Sequence, residues 1–140
     1  MKFSYSKIIT FNGKGRPVLR ILLVEDDPAV AELYSIRLEL DGHSVVIAGD
    51  GEAALEAARG GRPQLIFLDI RLPKLDGIAV LTALKKDPTT AAIPVVMLSN
   101  YGRKEIVEHA LRLGATDFRI KSRTTPTELA HGVEGWAGQL

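Results

Sequence analysis

The chain has 140 residues, no cysteine and a formal net charge of +1, which suits a single domain. Hydrophobic residues make up 46% and charged residues 25%, a balance that excludes a disordered or collagen-like chain. The lack of cysteine excludes thiol catalysis, a disulfide scaffold, cysteine-ligated zinc and iron–sulfur clusters. No apolar run reaches the roughly 20 residues of a membrane helix and no secretory signal is visible, so we expect a cytoplasmic protein without a membrane partner.

The start of the chain is basic, since residues 1–20 hold five basic residues and no acidic one. We expect residues 1–17 to form a flexible basic extension and residues 18–140 to form the domain. A hairpin turned by residues 12–15 is the alternative for part of this stretch. The segment lacks the basic and aromatic density of a nucleic-acid-binding surface, and the rest of the chain is net acidic, so no direct nucleic-acid partner is expected.

Five short apolar runs alternate with helical segments along the rest of the chain. The predicted strands cover residues 20–25, 44–48, 64–69, 94–99 and 117–121. The predicted helices begin near residues 28, 51, 78, 103 and 126, and the second of them is expected to end near residue 59. Regular alternation of strand and helix predicts an α/β domain with a parallel sheet covered by helices on both faces.

Local patterns mark the ends of two of these helices. Asp27 followed by Pro28 is typical of a helix start, and Thr125 with Glu128 has the spacing of a capping box. In the first helix, a set of apolar residues recurs at helical spacing. The set comprises Ala29, Leu33, Ile36 and Leu40. The three histidines lie on separate elements without ligand spacing, which indicates ordinary surface or packing residues.

Polar side chains follow four of the predicted strands, at the edge where parallel sheets bind ligands. They are Glu25 and Asp26 after the first strand, Asp69 after the third, Ser99 and Asn100 after the fourth, and Lys121 after the fifth. Two carboxylates about 4 Å apart repel by about 4 kcal/mol at an effective dielectric constant near 20. Such a cluster therefore needs a cation or a bound proton.

The donors available in this cluster are oxygens, which favours a hard cation, above all Mg²⁺. Open positions on such an ion suit phosphate oxygens. An aspartate can attack phosphorus to form an aspartyl phosphate, and Lys121 would offset the charge on the transferred group. The strand ends therefore indicate phosphoryl transfer to a carboxylate.

Four motifs extend this reading, namely ILLVEDDP, LIFLDIRLPKLDG, VVMLSN and FRIK. In their order and spacing, residues 18–138 resemble the receiver domain of two-component response regulators, of the single-domain chemotaxis-regulator-like type. The resemblance implies a flavodoxin-like, doubly wound sheet of five parallel strands in the order 2-1-3-4-5. It also implies that the chain takes a phosphoryl group from a histidine kinase or a histidine phosphotransfer protein.

The resemblance assigns roles to individual residues of the cluster. Asp69 would be the phosphoacceptor. Mg²⁺ would be held by Asp26 directly, by Glu25 mainly through water, by Asp69, and by the backbone carbonyl of Arg71. The protein would accept the phosphoryl group without being an enzyme in the ordinary sense.

The same resemblance implies a two-state switch. Ser99 and Lys121 would bind the attached phosphoryl group, and Phe118 would be the aromatic switch residue. The surface formed by the fourth helix, the fifth strand and the fifth helix would then contact a downstream protein target or a second copy of the chain in a homodimer.

The chain departs from the family pattern near the site. Ser122 follows Lys121 where proline is usual, and a cis bond to a residue other than proline costs about 3–4 kcal/mol, so a trans peptide is expected. Asn100 stands where a small residue is usual. Together with Arg71 and Tyr101 it would shield the acyl phosphate and slow its hydrolysis, which would tune the lifetime of the phosphorylated state.

Two alternatives stay open. A haloacid-dehalogenase-like phosphohydrolase also uses an aspartate after a strand, but it needs a second aspartate where this chain has Arg71. A receiver-like module that binds its partner without phosphorylation would share the fold, although the complete acidic cluster argues against it.

Overall fold

The computed structural model describes residues 10–138; residues 1–9, part of the extension expected to be flexible, lie outside the described residues. A small antiparallel sheet pairs β1 (Thr10–Phe11) with β2 (Pro17–Val18). The strands of the main sheet are β3 (Arg20–Val24), β4 (Ser44–Ala48), β5 (Leu65–Leu68), β6 (Val95–Ser99) and β7 (Asp117–Ile120). The helices are α1 (Pro28–Leu40), α2 (Gly51–Gly61), α3 (Gly77–Lys86), α4 (Lys104–Arg112) and α5 (Pro126–Ala137).

The main sheet has the order β4-β3-β5-β6-β7, and each neighbouring pair is parallel. This arrangement confirms the predicted order 2-1-3-4-5 and the predicted fold class. Successive residues of β3 point to opposite faces, so that Leu22 enters a core shared with α2 and α3 while Leu23 enters a core shared with α1 and α5. Within the described residues, no helix is both long and apolar enough to cross a membrane.

Helix starts agree with the sequence patterns. The Asp27 carboxylate accepts a hydrogen bond from the backbone N–H of Ala29 at 3.0 Å, and the capping box of Thr125 and Glu128 is formed. The second helix runs past the predicted end at residue 59, because both glycines that follow keep a helical backbone. The helix ends at Gly61, and Arg62 then takes a left-handed conformation with φ of 47°.

The orientation of α1 differs from the pattern that predicted it. Three apolar residues of the predictive set are exposed, namely Leu33 (61%), Ile36 (49%) and Leu40 (72%). The buried face consists of Ala31, Tyr34, Ser35 and Leu38. Because α1 is apolar on more than one side, the periodicity identifies a helix without showing which side meets the sheet.

The segment before the main sheet is a hairpin rather than the flexible extension expected for residues 10–17. Asn12 builds its turn, since its side-chain oxygen accepts hydrogen bonds from the backbone N–H groups of Lys14 and Arg16 at 2.8 and 3.0 Å. Its side-chain nitrogen donates to the carbonyl oxygen of Asp41 at 2.9 Å. These three bonds fix the turn and tie it to the end of α1, which corrects the expectation for this stretch.

His43 is a buried packing residue directly before β4, and its Nδ1 accepts a hydrogen bond from the backbone N–H of Leu19 at 3.0 Å. Burial lowers the pKa of His43 below its ordinary value, and the charges of Asp41 and Glu134 oppose this shift only in part. The neutral imidazole is therefore the form that the fold favours.

This shift predicts a pH dependence of stability. The unfolded chain binds a proton on His43 more readily than the folded chain does. The free energy of unfolding therefore falls as the pH decreases from the ordinary histidine pKa, about 6.5, through the lowered folded pKa. Urea unfolding between about pH 7.5 and about pH 5 should show a larger loss of stability for the wild type than for His43→Asn. The asparagine keeps an acceptor for Leu19, so equal losses in the two proteins would contradict the prediction.

Gly77 lets the start of α3 pack against the chain as it leaves β5. A Cβ at this position would overlap the backbone oxygen of Asp69 and lie 2.7 Å from Cα of Ile70. Asp76 caps the helix by accepting a hydrogen bond from the backbone N–H of Ala79 at 2.9 Å. The backbone of α3 thus supports the loop that begins at Asp69.

Gly77→Ala should therefore push this loop away from α3 and lower the free energy of unfolding by about 1–3 kcal/mol. Gly49→Ala is the matched control, because a Cβ there would have no neighbour within 4 Å, and it should change stability by less than about 0.5 kcal/mol. Urea denaturation of the two variants measures the difference. An equal loss of stability in both variants would show that the contact of α3 with the backbone at Asp69 does not require glycine at position 77.

Candidate functional site

The carboxyl ends of the strands bring distant residues of the sequence together. Glu25 follows β3 and Asp69 follows β5, and because these strands are neighbours the two carboxylates lie side by side. The Lys121 side chain reaches from the end of β7, and its ammonium contacts Oε1 of Glu25 and Oδ2 of Asp69. Carboxylate oxygens of Glu25, Asp26 and Asp69 all lie within 4.8 Å of one another. The predicted convergence of Asp26, Asp69 and Lys121 is therefore present in the structure.

Burial sets the electrostatics of this cluster. Glu25 and Asp69 are buried, whereas Asp26 is exposed. Burial raises the pKa of Glu25, and the hydrogen bonds from Lys121 and from the backbone N–H of Asp27 only partly oppose this. Burial alone would lower the pKa of Lys121, but its hydrogen bonds and charge interactions with Asp69 and Glu25 outweigh that effect and raise it. The ammonium therefore stays charged.

The cluster also fits a hard divalent cation. Its three carboxylates and one ammonium leave two negative charges in a small volume. All the side-chain donors are oxygens, and the exposure of Asp26 leaves space for water ligands, as Mg²⁺ requires. The same residues that hold the ion pair are thus suited to bind a divalent ion.

Backbone hydrogen bonds hold Asp69 in place. Its N–H donates to the carbonyl oxygen of Val24 at 3.2 Å, and its Oδ1 accepts from the N–H of Ile70 at 2.7 Å. Since Lys121 contacts the other carboxylate oxygen, both oxygens have a defined partner. The backbone and the Lys121 contact therefore hold the Asp69 side chain in one orientation.

Ser99 and Phe118 lie beside the cluster without joining it. Ser99 is buried at the end of β6, and its Oγ accepts a hydrogen bond from the backbone N–H of Tyr101 at 3.1 Å. No hydrogen bond links Ser99 to Asp69 among the described residues. Phe118 on β7 is half-buried and packs against the core that also contains α3. The hydroxyl and the aromatic ring predicted to act in switching each have a separate partner: the Tyr101 backbone for Ser99 and the core beside α3 for Phe118.

Arg71 and Tyr101 form a cation–π pair across two loops. The guanidinium carbon lies 3.5 Å from the centre of the tyrosine ring. Both residues line a cavity of about 720 Å³ that also reaches Asp26 and Asp76. The two bulky side chains therefore meet and together line the cavity that reaches Asp26.

The loop after Lys121 is held by two contacts that sequence reasoning missed. Asn100 Oδ1 accepts a hydrogen bond from the backbone N–H of Ser122 at 2.8 Å, and the Tyr34 hydroxyl donates to the carbonyl oxygen of Thr124 at 2.8 Å. The Lys121–Ser122 peptide is trans, as expected. No local sequence pattern could have paired Tyr34 with Thr124, because 90 residues separate them.

Several curated proteins are similar to this chain in sequence. The DNA-binding dual master transcriptional regulator RpaA of Synechocystis is 42% identical over 102 residues, which cover 73% of this chain and 42% of that protein. The DNA-binding response regulator MtrA of Mycolicibacterium smegmatis is 40% identical over 102 residues, which cover 73% of this chain and 43% of that protein. The chain thus spans less than half the length of these two relatives.

Solved structures show the same architecture. A putative response regulator from Chloroflexus aurantiacus matches with a TM-score of 0.80 and 29% identity over 87% of this chain and 99% of that chain. The Mn²⁺-bound form of response regulator Rcp1 matches with a TM-score of 0.75 and 33% identity over 87% of this chain and 96% of that chain. The family model of the response regulator receiver domain matches residues 21–134. With this match over most of its length, the chain belongs to the response regulator receiver domain family.

Proposed function

We propose that the chain accepts a phosphoryl group on Asp69 from a histidine kinase or a histidine phosphotransfer protein, in the cytoplasm and with Mg²⁺. One observation carries this proposal: a buried, oriented aspartate lies against a lysine ammonium and within 4.8 Å of two further carboxylates. A carboxylate nucleophile beside a fixed positive charge is the arrangement that phosphoryl transfer to an aspartate needs. Membership of the receiver family supports the same role.

The metal site would consist of Asp26, Asp69, the backbone carbonyl of Arg71 and, mainly through water, Glu25. When bound, Mg²⁺ would neutralise charge on the phosphoryl oxygens and help to orient them. The solved form of the relative Rcp1 contains Mn²⁺, which prefers similar oxygen ligands and therefore supports a divalent ion here.

The transfer itself would be a displacement at phosphorus. A carboxylate oxygen of Asp69 forms the new O–P bond while the P–N bond to the donor histidine breaks, and the departing imidazole keeps the electron pair of that bond. Lys121 contacts the same carboxylate and would pair with the phosphoryl oxygens as their charge develops. The arrangement of residues thus supplies a nucleophile and a charge partner without a separate base.

Phosphorylation would then act as a switch. It adds about −1.5 to −2 charge at the site. Ser99 would exchange its hydrogen bond with the Tyr101 backbone for one with the phosphoryl group, and Phe118 would turn inward. The surface of α4, β7 and α5 would change in consequence and bind a downstream protein target or a second copy of the chain.

The lifetime of the phosphoryl group would depend on three bulky residues in the loops that follow β5 and β6. The stacked pair of Arg71 and Tyr101, together with Asn100, would restrict the approach of water and slow hydrolysis. Arg71 also occupies the position where a phosphohydrolase of the dehalogenase type needs an acid, and its guanidinium is engaged with Tyr101. This contact favours a long-lived acceptor over a hydrolytic enzyme.

Asp69→Asn should abolish phosphorylation, because the amide cannot act as the nucleophile. The test is incubation with acetyl phosphate and Mg²⁺ followed by mass spectrometry of the intact protein and reductive trapping of the acyl phosphate. The wild type should gain one phosphoryl group that maps to Asp69. Asp76→Asn is the matched control, since asparagine also caps helices, and it should be labelled like the wild type. Retained labelling of Asp69→Asn would show that another residue is the acceptor.

Asp26→Asn should weaken Mg²⁺ binding by at least about tenfold, because a neutral amide replaces one of the clustered carboxylates. Isothermal titration calorimetry measures the affinity. Asp27→Asn is the control, because Asp27 caps α1 and the asparagine keeps this role, and its Mg²⁺ affinity should stay close to that of the wild type. Equal loss in both variants would indicate a general effect of acidic charge rather than a ligand at Asp26.

A further inference from the structure

We propose that Asn100 is a positioning residue that latches the loop bearing Lys121 to the loop bearing Ser99 and so opposes the phosphorylation switch. The latch is the hydrogen bond from the backbone N–H of Ser122 to Oδ1 of Asn100. This inference rests on the proposed function, because it concerns the energetic cost of the switching movement.

The latch begins with a backbone donor whose acceptor lies outside its own turn. A short 3₁₀ turn, Lys121–Arg123, follows β7 directly, and the first N–H groups of such a turn have no acceptor within it. Ile120 precedes the turn and provides no side-chain cap. The Asn100 side chain, 22 residues earlier in sequence, accepts from Ser122 at 2.8 Å instead. The turn is therefore capped from the neighbouring loop.

The position of this bond connects the two groups that would sense the phosphoryl group. Asn100 directly follows Ser99, and Ser122 directly follows Lys121, whose ammonium contacts Glu25 and Asp69. At its far end the Lys121 loop is held by the Tyr34 hydroxyl, which belongs to α1. Through its side chain, Asn100 therefore links the backbone beside the switching hydroxyl to the backbone beside the phosphate-binding lysine.

Movement of Ser99 would disturb this link. The Oγ of Ser99 accepts a hydrogen bond from the N–H of Tyr101, so the hydroxyl has to leave this partner before it can bind a phosphoryl group. Asn100 lies between these two residues in the chain, and a backbone shift there moves its side chain relative to Ser122. The latch is present in the arrangement in which Ser99 is bonded to Tyr101, and because the shift would break it, it stabilises that arrangement over the switched one.

The test uses beryllofluoride with Mg²⁺ as a phosphoryl analogue and follows the chain by ¹H–¹⁵N NMR. Loss of one exposed hydrogen bond that favours the resting state should lower the half-saturating concentration of beryllofluoride by about two- to fivefold in Asn100→Ala. An unchanged or higher half-saturating concentration in this variant would overturn the proposal.

Two further variants separate the latch from a general structural role. Ser122→Ala keeps the backbone N–H and should respond like the wild type. Ser122→Pro removes the N–H, so adding Asn100→Ala in that background should cause no further shift in the half-saturating concentration. Fully additive effects of the two substitutions would count against the latch. A purely structural role would change the melting temperature without moving the response to beryllofluoride.

Amide exchange gives an independent readout without any ligand. The Ser122 amide should exchange with solvent faster in Asn100→Ala than in the wild type, and equal rates would show that the bond does not hold in solution. A wild type that fails to respond to beryllofluoride would defeat the proposed function and the latch together. A responsive wild type with an equally responsive Asn100→Ala variant would defeat the latch alone.

Discussion

The ion pair of Lys121 with Glu25 and Asp69 is the interaction on which the site depends. Two buried carboxylates at the ends of neighbouring strands would repel each other strongly in a region of low polarity. The Lys121 ammonium crosses from the end of β7 and contacts both of them, which gives each buried acid a charged partner. The chain can therefore keep both carboxylates inside the domain and still fold.

The remaining architecture serves to hold this ion pair. The order of the parallel strands makes β3 and β5 neighbours, so the strand ends themselves bring Glu25 and Asp69 together. Gly77 allows α3 to support the backbone at Asp69, and the turn after β7 fixes the origin of the Lys121 side chain. Rigid elements thus place three charges that lie far apart in sequence.

Sequence patterns predicted the structural features that depend on short segments of the chain, namely the buried strands and the helix caps. The central strands β3, β5 and β6 are buried on both faces, so they stand out as continuous apolar runs, and helix caps depend on residues only a few positions apart. The exposed side of α1 was not predictable, because its apolar residues occur on more than one face. The contacts of Tyr34 with Thr124 and of Asn100 with Ser122 join separate segments, and only the folded backbone brings these partners within reach.

The turn of the amino-terminal hairpin has a consequence for the chemical ageing of the protein. Asn12 precedes Gly13, and asparagine–glycine pairs lose ammonia when the next backbone nitrogen attacks the side-chain amide. In the hairpin both polar atoms of that amide are hydrogen-bonded. The oxygen accepts from two backbone N–H groups, and the nitrogen donates to the Asp41 carbonyl. These bonds hold the side chain away from the position in which the Gly13 nitrogen could attack it. Deamidation at this position is thus governed by how often the hairpin opens, and the reaction would remove the donor that ties the turn to α1.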